Sequence, residues 1–310
     1  MTTPPPWTAT TWASNGPVRI AFDQLAPAEA PAAPEPLLLV TGLGVSRRWW
    51  PTGLARALAA QGFAVARYDQ RDAGESTHLP PTSASGPIAA IVRRRGDAYT
   101  AEDMTDDAIA VLDALGWESA HLFGQSLGGA VAQRIALRHP GRVRTLTSVS
   151  AVPGDTGGPG TLRHIRLRTL ARLARTRYPR TPEGQVEAGV ALARLLRSPG
   201  YPFDERATRE MLTAAPDAGV LDARGQSRQI GAQWHGPPIS RIAVPTLVLH
   251  GLDDPLVKPS AGRTVAARIP GARFVPLPGV GHDLPEPVWG EVAHHVRHLA
   301  DGRAGEPRPA

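Results

Sequence analysis

Across 310 residues the chain carries 34 Lys and Arg against 28 Asp and Glu, a formal net charge of +6, and no cysteine. Zero cysteine excludes disulfides, thiolate nucleophiles and cysteine-ligated zinc or iron–sulfur centres together. The length allows a large core, built as one α/β domain with an insertion or as two domains.

The opening MTTPPPWTATTW has no basic stretch leading into an apolar one, and no apolar run nears the roughly 20 residues of a membrane span. A cytoplasmic protein without membrane partners is expected. The positive charge is almost all arginine, Lys258 being the lone lysine, in a chain rich in Ala, Gly and Pro. A GC-rich coding bias produces that composition without selection for binding. Arg163, Arg166, Arg168, Arg172, Arg175 and Arg177 alternate with Leu162, Ile165, Leu167, Leu170 and Leu173, as on the solvated face of an amphipathic helix. No recognition motif accompanies the charge, so no nucleic-acid partner is expected.

In chain order, PVRIAF (17–22) reads as a first strand and the Pro/Ala-rich 26–36 as a loop with no propensity to pack. LLLVTG (37–42) is a continuous apolar run of the kind buried on both faces of a parallel sheet. A helix near 49–60, the strand 63–69 and a long loop to about residue 99 follow. TAED (100–103) has the capping-box form and opens a helix ending near Leu115 and Gly116. Strands at 120–124 and 143–150 flank a helix that starts at Ser126.

From 152 to 240 the pattern turns helical, broken by Pro and Gly, with no strand signal. Alternation returns with a strand at 245–251, a helix near 260–269, a strand at 273–279 and a last helix within 286–300. The reading is an α/β fold: a mostly parallel sheet with helices on both faces, from segments 1–151 and 241–300. The 152–240 segment is expected to be an inserted helical cap, with protease-sensitive joints at 154–160 and 198–202, and 301–310 a disordered tail. A cap rich in Leu and Ala would form an apolar roof, leaving the pocket's charges confined to the catalytic residues.

GQSLG (124–128) places a serine among glycines between a buried strand and a helix. That is the G-x-S-x-G of a nucleophile elbow, where small flanking residues let strand and helix approach and the turn projects the hydroxyl. A serine hydroxyl needs a base to take its proton and an acid to orient that base. Of ten histidines, His282 lies in a Gly-rich loop between a strand and the last helix. His250 ends a strand with no further partner beyond it in the required order, and His294, His295 and His298 fall on the terminal helix. LVLHGLDDPLV supplies two acids, Asp253 and Asp254, in the loop after a strand. The order is then Ser, Asp, His.

TGLG (41–44), YDQRDAGES (68–76), GQSLGG (124–129), HGLDDPLV (250–257) and GVGHDLP (279–285) together resemble the α/β-hydrolase fold over about 35–300. Within it the chain is most similar to the aclacinomycin methylesterase type, from YDQRDAGEST (68–77), DAIAVLDALGW (107–117) and GHDLP followed by Trp289. The resemblance implies a cofactor-independent carboxylic ester hydrolase acting through an acyl-enzyme, on a substrate such as a methyl ester of a bulky natural product. Ser126 would be the nucleophile, His282 the base and then acid, and Asp254 the orienting carboxylate with Asp253 as alternative. The backbone N–H groups of Leu43 and Leu127 would form the oxyanion hole. Thr41 stands where the common form has histidine, which leaves the support of that turn open.

A lyase or acyltransferase with the same triad, and a non-catalytic small-molecule-binding protein, are the rival readings. Asp69, Arg71 and Gly74 read as braces of a turn beside the site. Trp49, Trp50 and Trp234 are candidates for a pocket wall or for core packing. No metal and no cofactor are expected.

Overall fold

A computed structural model of the chain describes residues 7–25, 33–80, 98–214 and 222–302. Most of the loop expected at 26–36, most of the long loop before Tyr99 and the tail beyond Gly302 therefore lie outside the described residues. Eight strands form one sheet: β1 Thr11–Asn15, β2 Val18–Gln24, β3 Glu35–Val40, β4 Phe63–Tyr68, β5 Ala120–Gln125, β6 Val143–Val149, β7 Thr246–Gly251 and β8 Arg273–Leu277. Their spatial order is β1-β2-β4-β3-β5-β6-β7-β8. β1 and β2 pair antiparallel, β2 joins β4 antiparallel, and every pairing from β4 to β8 is parallel.

The apolar run of β3 shows why the sheet is buried on both sides. Successive side chains of a strand point to opposite faces. Leu37 and Leu39 join one core with Phe123, Leu247 and the helices α1 (Thr52–Ala60) and α10 (Trp289–Ala300). Leu38 and Val40 join the other with Leu122, Val248 and the helices α2 (Ala101–Ala114), α3 (Leu127–Arg138) and α9 (Pro259–Arg268). The expected capping box opens α2: Thr100 Oγ1 accepts from Asp103 N, and the Asp103 carboxylate accepts from Thr100 N at 2.7 Å.

Two local differences from the sequence reading have physical causes. β1 carries no alternating signal, because only Ala13 among its five residues is buried and Trp12 is 41% exposed on the sheet edge. The helix expected from residue 49 starts at Thr52, since Pro51 takes the N-cap position, and 47–49 form a separate 3-10 turn. Between β6 and β7 the described residues hold only helices: α4 Pro159–Leu162, α5 Leu167–Arg175, α6 Pro182–Leu196, α7 Glu205–Ala214 and α8 Ala223–Gly231, besides a 3-10 turn at Ile239–Arg241. Among the described residues no helix is long and apolar enough to cross a membrane.

Candidate active site

β5 ends at Gln125 and α3 begins at Leu127, so Ser126 alone makes the turn, at φ 57° and ψ −123°. A non-glycine residue in the positive-φ region carries strain on the order of 1–3 kcal/mol and persists only where its surroundings enforce it. Here Ser126 N donates to Val149 O at 2.9 Å. A Cβ on Gly124 would lie 2.3 Å from Gly128 O, and one on Gly128 would lie 2.0 Å from Val40 O. Only glycine at both positions lets strand and helix meet this closely. The turn leaves Ser126 at the N-terminus of α3, where the helix dipole favours negative charge.

His282 and Asp254 come from separate loops, after β8 and β7, and meet directly: His282 Nδ1 lies 2.7 Å from Asp254 Oδ2. The other oxygen, Oδ1, accepts from the N–H groups of Leu256 and Val257 at 2.7 and 2.8 Å. Burial would raise the pKa of Asp254, yet His282 and these donors hold it below the usual carboxylate range. Burial would depress His282, but the Asp254 charge outweighs it and keeps the imidazole above its ordinary value. Asp253 points elsewhere, exposed, with its carboxylate accepting from Gly279 N at 3.1 Å. His250 lies behind Asp254, fully buried, its Nε2 3.1 Å from Val257 O and 3.6 Å from Asp254 Oδ2. Asp283 accepts from Ser198 Oγ at 2.5 Å, and its charge adds to the upward pull on His282. Gln125, the residue before Ser126, ties the elbow to the histidine loop, its Nε2 donating to His282 O at 2.5 Å.

The turn after β3 abuts the serine: a Cβ on Gly42 would touch Ser126 Cβ at 3.6 Å. Thr41, standing where a histidine is common, donates its hydroxyl to Tyr68 O at 2.9 Å. Further support comes from two glutamines. Gln70 Nε2 donates to Thr41 O, and Gln229 of α8 accepts from Gly44 N at 2.9 Å while donating to Arg71 O at 2.7 Å. Asp69 and Arg71 each brace the turn through a partner of their own. Asp69 is paired with the buried Arg47, and Arg71 with Asp107 at 2.6 Å, so the two do not pair with one another.

Leu43, Ser126 and Leu127 share the wall of a cavity of about 280 Å3, roofed by Ile165, Leu170, Leu173 and Trp234. A wider, more open depression runs past Asp253 and Arg166, but the deeper cavity is the one that contains the serine. Of the three tryptophans, only Trp234 lines it. Trp50 is core, edge-on to Phe123 with centroids 5.6 Å apart, and Trp49 packs beside Val190 and Leu212. The expectation that pocket charge is confined to the triad is wrong: Arg134 and Asp155 also line the cavity. Burial lowers the Arg134 guanidinium to about 10, against the through-space pull of Glu102 and Asp155, so it remains a cation at neutral pH. Gln70 sits inside a motif already visible in the sequence. Gln125 likewise stands inside the elbow motif, whereas Gln229 and Arg134 carry no local signal.

The α/β-hydrolase fold family model matches residues 35–286. The chain is 34% identical over 287 residues to the rhodomycin D methylesterase DauP of Streptomyces sp. (strain C5), covering 86% of this chain and 92% of that one. It is 33% identical over 289 residues to the rhodomycin D methylesterase DnrP of Streptomyces peucetius, with the same coverage of each chain. Among solved structures, esterase RhEst1 from Rhodococcus sp. ECU1013 superposes with a TM-score of 0.69 at 21% identity, over 96% of this chain and 99% of that one. The enol-lactonase from Burkholderia xenovorans LB400 gives 0.63 at 22%, over 96% and 98%. With an elbow at the end of β5 and a matched span from β3 to the turn before the last helix, the chain belongs to the α/β-hydrolase fold family, and within it to the aclacinomycin methylesterase type.

Proposed function

We propose that the chain, a carboxylic ester hydrolase, cleaves a methyl ester of a bulky ring-bearing acid with Ser126, His282 and Asp254 as its triad. The observation that carries the reading is the Asp254–His282 contact at 2.7 Å, tied by Gln125 to the elbow whose serine opens onto a largely apolar cavity. Ser126 Oγ attacks the ester carbonyl as His282 Nε2 takes its proton, and Asp254 holds the tautomer that leaves Nε2 free. The tetrahedral oxyanion accepts from Leu43 N and Leu127 N, and collapses as His282 returns the proton to the departing methanol. Water, deprotonated by His282, then releases the acid and restores the serine. The relatives' names, rhodomycin D methylesterase, favour water as acceptor over transfer or elimination. The proposed compartment is the cytoplasm, and the proposed substrate a free small molecule.

The cavity of about 280 Å3 lies at the lower edge of the roughly 300–1,000 Å3 of drug-sized ligand sites. It therefore suits a two- or three-ring acyl group better than a long flexible chain. Burying 100 Å2 of ring surface is worth roughly 2.5 kcal/mol, almost a hundredfold in kcat/KM when the contact persists in the transition state. Methyl naphthoate should accordingly be hydrolysed with a kcat/KM at least about tenfold above that of methyl acetate. A fluorophosphonate probe should label Ser126 and leave folded Ser126→Ala protein unlabelled. Stable labelling of that variant, or equal rates on the two esters, would overturn the reading.

A further inference from the structure

Arg134 has no part in the ester chemistry, and its position is costly. It lies two turns along α3 from Ser126, is 6% exposed, and lines the same cavity. Its Nε donates to Gly154 O at 2.8 Å, and among the described residues no carboxylate forms an ion pair with it. The two acids whose charges act on it, Glu102 and Asp155, hold other groups, and Glu102 keeps one buried oxygen without a hydrogen bond. Both oxygens of Asp155 bind Arg268, and one also accepts from Ile239 N at 3.1 Å. Glu102 accepts from His235 N at 2.7 Å, and its other oxygen faces the His235 ring at 3.6 Å. A buried guanidinium is normally paired, because the loss of hydration is otherwise uncompensated. The wall of a substrate cavity is the one place where the missing partner can arrive with the ligand.

We infer that Arg134 binds an anionic oxygen, a carboxylate or an ionised phenol, on the acyl part of the ester, at the far end from Ser126. The assignment rests on the ester-hydrolase reading of the cavity. Eight residues of α3 advance roughly 12 Å along the axis, and helical side chains lean back toward the N-terminus. The anion and the scissile carbonyl are thus about one fused-ring system apart. The planar fork of the guanidinium suits a carboxylate or phenolate better than a neutral carbonyl.

The test compares two naphthalene dicarboxylates with their carboxyl groups on opposite rings: the monomethyl ester, which keeps one carboxylate, and the neutral dimethyl ester. Binding is measured by fluorescence to Ser126→Ala protein, so that turnover plays no part. The monomethyl ester should bind at least about tenfold more tightly, as a charge-assisted hydrogen bond implies. A hydroxynaphthoate methyl ester, titrated through its phenol, shows whether a phenolate serves as well as a carboxylate. Adding Arg134→Met should abolish the preference while leaving the dimethyl ester's affinity nearly unchanged, and Arg134→Lys should keep part of it. Equal affinities in the Ser126→Ala protein, which need no Arg134 variant to fold, would overturn the assignment, as would a preference that survives Arg134→Met. Failure of wild-type protein to hydrolyse either ester, with the binding preference intact, would count against the hydrolase reading and for the anion site.

Discussion

Asp253 and Asp254 are neighbours with the same chemistry, and only the backbone separates their fates. Asp254 turns inward, where two N–H groups fix one oxygen and His282 takes the other. Asp253 turns outward to Gly279. Asp254→Asn should therefore lower kcat by at least about 10³-fold through the wrong imidazole tautomer, while Asp253→Asn should cost less than about tenfold. The pH profile gives a second check. As the proposed base, His282 must be neutral to accept the serine proton, and its pKa is raised, so kcat/KM should fall as pH drops through a limb above the ordinary imidazole value of about 6.5. Removing the Asp254 charge leaves burial opposed only by the weaker pull of Asp283, so residual activity of Asp254→Asn should show that limb at lower pH. A limb that stays in place, or a worse defect in Asp253→Asn, would reassign the acid. At this scale the sequence carried the serine, the histidine and the pair of acids, because each sits in a local motif. Arg134 was not legible: an arginine in LGGAVAQRIALR reads as one more helical charge until the fold turns it into a cavity.

Elements, more than residues, explain how the turn after β3 works without a histidine. α8 lays Gln226 and Gln229 against that turn: Gln226 Cγ lies 2.3 Å from where a Cβ on Gly44 would be, and Gln229 accepts from Gly44 N at 2.9 Å. The same helix is tied to the core by Arg228, paired with buried Asp72 at 2.6 Å. A helix some 180 residues downstream thus sets the peptide next to Leu43, the proposed oxyanion donor. Removing such a donor outright costs about 10²–10³ in kcat, so displacing it through Gln229→Ala should cost roughly ten- to a hundredfold. An unchanged kcat in a folded variant would show that the turn holds its shape alone. The strands were legible where both faces are apolar, as in β3, and where a turn motif follows, as in β5. β1 was not, since an edge strand with one buried residue has no periodicity to read. The contact between α8 and the turn was equally hidden, because no local pattern records a partner so distant in the chain.

At the scale of the whole molecule, we propose that 152–240 is a cap which completes the active site and does not fold as a unit of its own. Its backbone is fastened to the loops that carry the histidine and the acid. His282 N donates to Leu196 O at 2.9 Å and Gly200 N to Gly279 O at 3.0 Å, while Arg166 N donates to Leu256 O and Lys258 N to His164 O, both at 2.8 Å. Separating the segment would leave these groups, and the apolar roof of the cavity, without partners. The same fastening bears on where proteases should cut. Gly154 is pinned by Gln133 and Arg134, and Gly200 by Gly279, so the glycine-rich joints at 154–160 and 198–202 are better held than their composition suggests. The exposed stretch from the last residue of α5 to the N-cap of α6, residues 175–181, has only Tyr178 partly covered and offers Arg175, Arg177 and Arg180 to trypsin. Exposed connections of this kind are preferred nicking sites. Brief digestion should therefore cut first at one of these arginines, and the two fragments should stay associated and melt in one cooperative transition with the intact core. Mass spectrometry of the first products locates the cut, and calorimetry of the nicked protein counts the transitions. A first cut in either glycine-rich joint would contradict the fastening argument. A core fragment that stays folded and active after the cap dissociates would refute the idea that the two are one unit.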